Sequence, residues 1–220
     1  MKKALRFIGI LFMGITSAVT LLGGVGTTCV ALDATKYESM KAIAEFQWLY
    51  ILYVLAGIAL GVMGIRATIQ LIKGKENAEK SALMTLVLGI VVGVVHIFTS
   101  RVLRGSSMPV DGVVYITVLT LVIFLLFRLP KVQQMELFQN EVKDDTSAIG
   151  GLSAIIIGGL VLSVQMWAGS DHFISGINYA DAFHNAMFII GTVLELVGVG
   201  LITKSVFLPR KSPAVERSAG

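Results

Sequence analysis

Six apolar stretches separated by short polar connections dominate the chain, at residues 7–32, 47–72, 82–100, 112–129, 148–167 and 182–203. Each comes close to or exceeds the roughly 20 residues that an α-helix needs to cross the hydrocarbon of a bilayer. In lipid every backbone N–H and C=O must be satisfied within a helix or a closed barrel, and runs this continuous lack the alternation of barrel strands. The pattern predicts an all-α polytopic integral membrane protein. Its six-transmembrane-helix bundle occupies residues 1–208 and a polar tail occupies residues 209–220. Lys2, Lys3 and Arg6 precede the first run as in a signal peptide. A cleavable apolar region is only about 7–15 residues long, however, so a retained first span is expected.

The connections carry patterns of their own. Between the first two spans Tyr37, Met40, Ile43 and Ala44 share one helical face, with Lys41 and Glu45 at i,i+4. That spacing predicts a short helix lying in the membrane interface. The turn Lys73-Gly74-Lys75-Glu76-Asn77 joins spans two and three as a hairpin. In the connection before span five, Val132, Met135 and Phe138 form an apolar face. Asp144, Asp145, Thr146 and Ser147 then offer capping oxygens and negative charge at the start of that span. No internal repeat is evident.

Composition sharpens the class. Hydrophobic residues make up 55% of the 220 and charged ones 15%, which leaves no length for a separate soluble domain. The net charge of +4 is a topology signal and not a nucleic-acid footprint. Of the 18 Lys and Arg, 14 fall on the side of the N-terminus and only Lys36, Lys41, Arg101 and Arg104 on the other. Basic residues in short loops stay inside, so both termini are expected in the cytoplasm and the chain in the cell membrane, facing anionic lipid. Cys29 is the single cysteine, so no intrachain disulfide and no Cys-rich metal site can form.

In lipid, small and hydroxyl residues mark the faces where helix backbones approach. Gly57 and Gly61 form a GxxxG on span two, on a stripe with Tyr50, Tyr53, Gly64 and Thr68, while Arg66 projects away towards headgroups. Gly89 and Gly93 repeat the motif on span three, in line with Thr85, His96 and Ser100. Thr16, Ser17, Thr20, Gly24 and Thr27 mark span one, Gly151, Ala154, Gly158 and Gln165 span five. Span four has no glycine after Gly112 and reads as the most lipid-exposed. These glycines are expected to pack helices within one bundle.

Span six aligns Asp181, His184, Phe188, Gly191, Glu195, Gly198 and Ile202 on one stripe. A charge at the helix centre costs roughly 3 kcal/mol, so Glu195 requires a partner, a cavity or a proton. All three histidines, both tryptophans and all five tyrosines lie in the outer half or outer loops. An aromatic belt accounts for some of them, although belts normally mark both interfaces. The chemical reading is a polar vestibule lined by Thr20, Thr27, Tyr53, His96, Ser100, Gln165 and His184 and leading down to Glu195. Asp171, His172, Asp181 and His184 are a weaker candidate set for a divalent metal. A haem held between His96 and His184 is weaker still. No cofactor is therefore expected. No GxSxG, HExxH or phosphate-cradling loop occurs, and nothing marks the chain as an enzyme.

The sequence thus leads to a small membrane protein that binds or translocates a small solute or ion through an outward-facing polar pocket. The rival reading is a non-catalytic subunit or scaffold of a membrane complex, and the third an outer-face metal or haem redox protein.

Overall fold

The computed structural model describes residues 2–138, 146–168, 173–174 and 176–207. The first helix, α1 (Lys2–Gly26), is followed by the short α2 (Thr28–Leu32) and by 3-10 segments Ala34–Lys36 and Glu38–Phe46. Then come α3 (Gln47–Ile72), α4 (Ala78–Arg104), α5 (Val110–Phe127) and the single turn α6 (Pro130–Gln133). The C-terminal part holds α7 (Thr146–Leu162), α8 (Val164–Ala168), a minimal antiparallel pair β1 (Phe173–Ile174) and β2 (Ile177–Asn178), α9 (Tyr179–Ala182) and α10 (His184–Phe207). That strand pair is the one departure from an all-α chain among the described residues.

Among the described residues five helices are long and apolar enough to cross a membrane: α1, α3, α4, α5 and α10, with α1 and α3 extended by the turns beside them. The run expected as one fifth span, 148–167, is interrupted instead. The Ser163 hydroxyl donates to the carbonyls of Gly159 (2.8 Å) and Leu160 (3.2 Å), and the helix breaks there, leaving α7 with 17 residues.

Four helices, α1, α3, α4 and α5, close a ring in which each packs on its neighbours, and α7 docks on α1. α7 pairs most extensively with α10 in an antiparallel hairpin. Glycines set both contacts. A Cβ at Gly61 would lie 2.7 Å from the Leu21 backbone and one at Gly24 2.9 Å from that of Ile58, so α1 and α3 run too close for a side chain between them. In the hairpin Gly151 lies against Gly198 and Gly158 against Gly191, two antiparallel pairs seven residues apart. Gly93 abuts Val114 of α5, and Gly89 approaches Thr117 at ordinary contact distance.

Two apolar cores sit at opposite ends of the ring. One gathers Ile10, Met13, Leu71, Leu86, Phe124 and Phe138. It includes the segment after α6, where Phe138 stacks on Phe124 at 5.8 Å. Arg6 is buried beneath this core and donates to the carbonyls of Leu71 and Ile72, satisfying the end of α3. The other core gathers Ala31, Ala34, Ile43, Tyr50 and Val54. Ile43 is only 1% exposed, so the 3-10 segment turns its apolar face to the bundle and not, as its spacing predicts, to the interface. The capping positions Asp144 and Asp145 lie outside the described residues; α7 begins at Thr146.

The expected exposure of span four is corrected. α5 buries Val114, Thr117, Thr120, Phe124 and Phe127, whereas α10 is the least covered of the long helices. Glycine content misleads here because hydroxyl and aromatic side chains also make close interfaces: Thr16 and Thr120 are hydrogen-bonded at 2.7 Å, both buried.

Candidate functional site

At the end of the ring formed by the C-terminal halves of α1 and α4 and the N-terminal halves of α3 and α5 lies a cavity of about 70 Å³. The helical periods of the four elements bring Thr20 and Gly24 from α1 to its wall, with Thr27 from the junction of α1 and α2 and Tyr53 and Gly57 from α3. Gly93 and His96 face them from α4, and Pro109, Val110, Val113 and Val114 close the side towards α5. The glycines let the walls close in: a Cβ at Gly24 would lie 2.9 Å from the Ile58 backbone, one at Gly57 3.2 Å from Gly24 Cα, and one at Gly93 against the Val114 side chain, so the cavity is the space left beside these close contacts.

Its aromatic wall is tightly held. The rings of Tyr53 and His96 stack at 4.1 Å with 12° between their planes, and Tyr50 meets both edge-on at 5.8 and 5.5 Å. Tyr50 and Ser100 share a hydroxyl hydrogen bond of 2.8 Å. Thr99 donates its proton to Val95 O, so the Tyr53 hydroxyl donates to Thr99 at 3.0 Å. Thr27 donates back to Gly23 O. The Thr20 hydroxyl and both His96 ring nitrogens, by contrast, have no hydrogen-bond partner among the described residues.

The roof is the α4–α5 connection. Gly105 ends α4 in the left-handed conformation, φ 71°, which a side chain would resist. Arg101 then donates to Ser107 Oγ (2.9 Å) and to Asp111 Oδ1 (3.1 Å), while Ser107 donates to Asp111 Oδ2 (2.7 Å). Arg104 donates to the Met108 carbonyl beside Pro109 and keeps a buried Nε without a partner. Sequence reading missed Asp111 entirely. Its signal is the pair of arginines ending α4 followed by a carboxylate just after Pro109, at the start of the next span.

Beneath the cavity the ring is closed. Thr16 of α1 and Thr120 of the adjacent α5 share a buried hydrogen bond, Ser17 donates to Met13 O and approaches Thr68 at 3.4 Å, and the first apolar core follows.

Gln165 and His184, expected in the same vestibule, sit elsewhere. Gln165 of α8 donates to Asp181 Oδ1 (2.7 Å), and its Oε1 is 2.9 Å from His184 Nδ1, which must then carry the proton. The group is exposed, with His184 over Phe188 at 6.2 Å. Asp181 belongs to α9, which a turn at Phe183 separates from α10, so the predicted single stripe is split. Asp171 and His172 lie outside the described residues, and among those described no three His, Cys, Asp or Glu converge as a metal site. The haem pairing has no geometric support: His96 belongs to the aromatic wall of the ring and His184 to the glutamine cluster of the hairpin.

Glu195 occupies a third place. Its side chain lies half-buried in the α7–α10 groove over Gly158 and Gly159, with Cγ and Oε1 3.2 and 3.7 Å from the positions where their Cβ atoms would be. Its carboxyl has no partner among the described residues. It is not among the residues that border the cavity. The aromatics expected on the outer side also divide: Tyr50 and Tyr53 turn inward, while Trp48 and Tyr115 are 62% and 66% exposed, as in a belt. Comparison with protein-family models, with curated proteins and with solved structures found no match.

Proposed function

We propose that this chain is a six-span protein of the cell membrane, with both termini cytoplasmic, that binds a small neutral polar solute in the cavity between α1, α3, α4 and α5. The Lys and Arg asymmetry supports the orientation. α7 serves as the sixth span, its 17 residues lying at the short end of the range that crosses a bilayer. One observation carries the binding reading: Thr20 and His96 offer unpartnered polar atoms to a space otherwise walled by apolar and aromatic surface. A few oriented polar groups in an apolar recess are what small-molecule sites share.

The chemistry narrows the ligand. Among the described residues no carboxylate lines the cavity, so nothing there compensates a cation for its lost hydration. A volume of about 70 Å³ suits a solute of a few heavy atoms or a short file of waters. The buried side chains at the level of Thr16 and Thr120 favour binding over passage.

The test is a thermal-stability titration of the detergent-purified chain with glycerol, urea and acetamide. At least one should protect the parent, and His96→Phe and Thr20→Val, which keep shape, should abolish that protection. No protection by any of the three, or protection that survives both substitutions, removes the reading.

A second reading, membership of a membrane complex, is favoured by Glu195. A carboxyl without a partner at mid-helix, beside exposed Gly159, is completed by a donor on another helix. Glu195→Leu should then release a co-purifying membrane partner that the parent retains in mild detergent; equal recovery, or no partner at all, sinks this alternative.

A further inference from the structure

On the side of α3 opposite α1, residues 62, 65, 66, 69, 70 and 73 recur every three or four positions and border a shallow groove of about 610 Å³. At 100° per residue this stripe is centred roughly 140° from the Gly57–Gly61–Gly64 face, so bundle packing does not use it. We propose that the groove binds one anionic phospholipid.

Its chemistry is graded along the helix. Val62, Ile65 and Ile69 are exposed apolar side chains, 55%, 39% and 44% accessible, and form the deeper wall. Lys73 follows at the helix end, and Lys75, Glu76 and Asn77 of the turn into α4 close the base. Eleven residues of helix from Val62 to Lys73 rise about 16 Å, close to half of a hydrocarbon core of roughly 30 Å. The stripe therefore has the length of one leaflet, with chain-binding surface at its deep end and cations at the headgroup level.

Charge commits the occupant. Arg66, Lys73 and Lys75 are exposed and have no ion pair among the described residues, and Glu76 is the single carboxylate on the wall. Arg66 sits two turns deeper than Lys73, and its long stem lets the guanidinium descend towards a phosphate. Guanidinium and ammonium groups together recognise a phosphodiester by charge-assisted hydrogen bonds. Gln70 lines the same groove with a buried Oε1 that lacks a donor, which a headgroup hydroxyl supplies after a turn of the side chain. The exposed face of α4 makes the contrast: Val87, Val91, Val94 and Phe98 carry no charge and fit any acyl chain alike.

The experiment uses the full chain in a neutral detergent. Phosphatidylglycerol, phosphatidylcholine with the same acyl chains, and inorganic phosphate are titrated separately, with native mass spectrometry counting bound lipid and thermal unfolding reporting stabilisation. One phosphatidylglycerol should bind and raise Tm, with phosphatidylcholine roughly tenfold weaker, as expected when cations at the membrane surface meet anionic lipid. The exposed-site variant Arg66→Gln/Lys73→Gln/Lys75→Gln should lose about tenfold in phosphatidylglycerol affinity, whereas Lys204→Gln on α10 should lose none. Lys73→Glu, a single change at a helix end, gives the same reading if the triple variant fails to fold. Equal binding of the two lipids, unchanged binding in the variants, or a Tm rise reproduced by phosphate alone would overturn the proposal.

Discussion

At Gly61 a single methyl group is decisive, because the added Cβ would meet backbone atoms of Leu21 that belong to a rigid helix. We expect Gly61→Ala to destabilise the detergent-solubilised chain by about 1–3 kcal/mol, the range of overpacking, read as a fall in Tm. Gly200 meets nothing within 4 Å, so Gly200→Ala should be neutral or slightly stabilising; equal losses at both sites would contradict the packing assignment. A buried hydroxyl pair is worth less. Thr120 already donates to Ile116 O, so Thr16→Val removes one donated bond and should cost only about 0.6 kcal/mol, as membrane hydrogen bonds average. Asp111 is a different case. It accepts from both Arg101 and Ser107 while 8% exposed, and Asp111→Asn should cost about 1–3 kcal/mol, chiefly in hydrogen bonding, since the exposed Arg101 is screened. The same variant should loosen the cavity roof and speed hydrogen exchange in residues 105–110.

Between elements, the distribution of contacts makes the α7–α10 hairpin a unit attached to the ring chiefly through α7 and α1. Its internal seam depends on Gly151 against Gly198 and Gly158 against Gly191. Gly198→Leu should therefore part the hairpin and raise hydrogen exchange in α7 and α10 while sparing α3 and α4. Matched acceleration throughout the chain would show instead that ring and hairpin unfold together. The stripes carrying those glycines were legible as stripes, because a 3.6-residue period is written locally. The break at Ser163 was not, since an apolar run from 148 to 167 has the same hydropathy with or without it. The exposure of α5 was misjudged for a related reason: glycine content scores only one kind of close interface, and Thr117, Thr120 and Phe124 make another.

For the whole molecule, the basic asymmetry leads to a concrete expectation of topology. In a Cys29→Ser background, a membrane-impermeant thiol reagent applied to intact cells should label Ser106→Cys, in the exposed α4–α5 connection, and spare Lys75→Cys. The opposite pattern would invert the orientation and with it the outward placing of the cavity. The candidate site shows how far one dimension reaches. Thr20, Thr27, Tyr53 and His96 do meet, because each lies on the face where its helix carries small residues. Gln165, His184 and Glu195 have the same local credentials, yet they stand in a hairpin outside the ring.

Hydropathy and helical period are properties of single segments in lipid, so the apolar class of the chain, the five long helices and the faces able to approach one another are legible in the residues alone. Only the fold shows which faces pair, that Arg6 and Asp111 are buried in hydrogen-bonded places, and that Thr20 with His96, Gln165 with His184, and Glu195 stand in three different surroundings. Several glycine faces can satisfy the same close approach, and only the full set of simultaneous contacts selects among them.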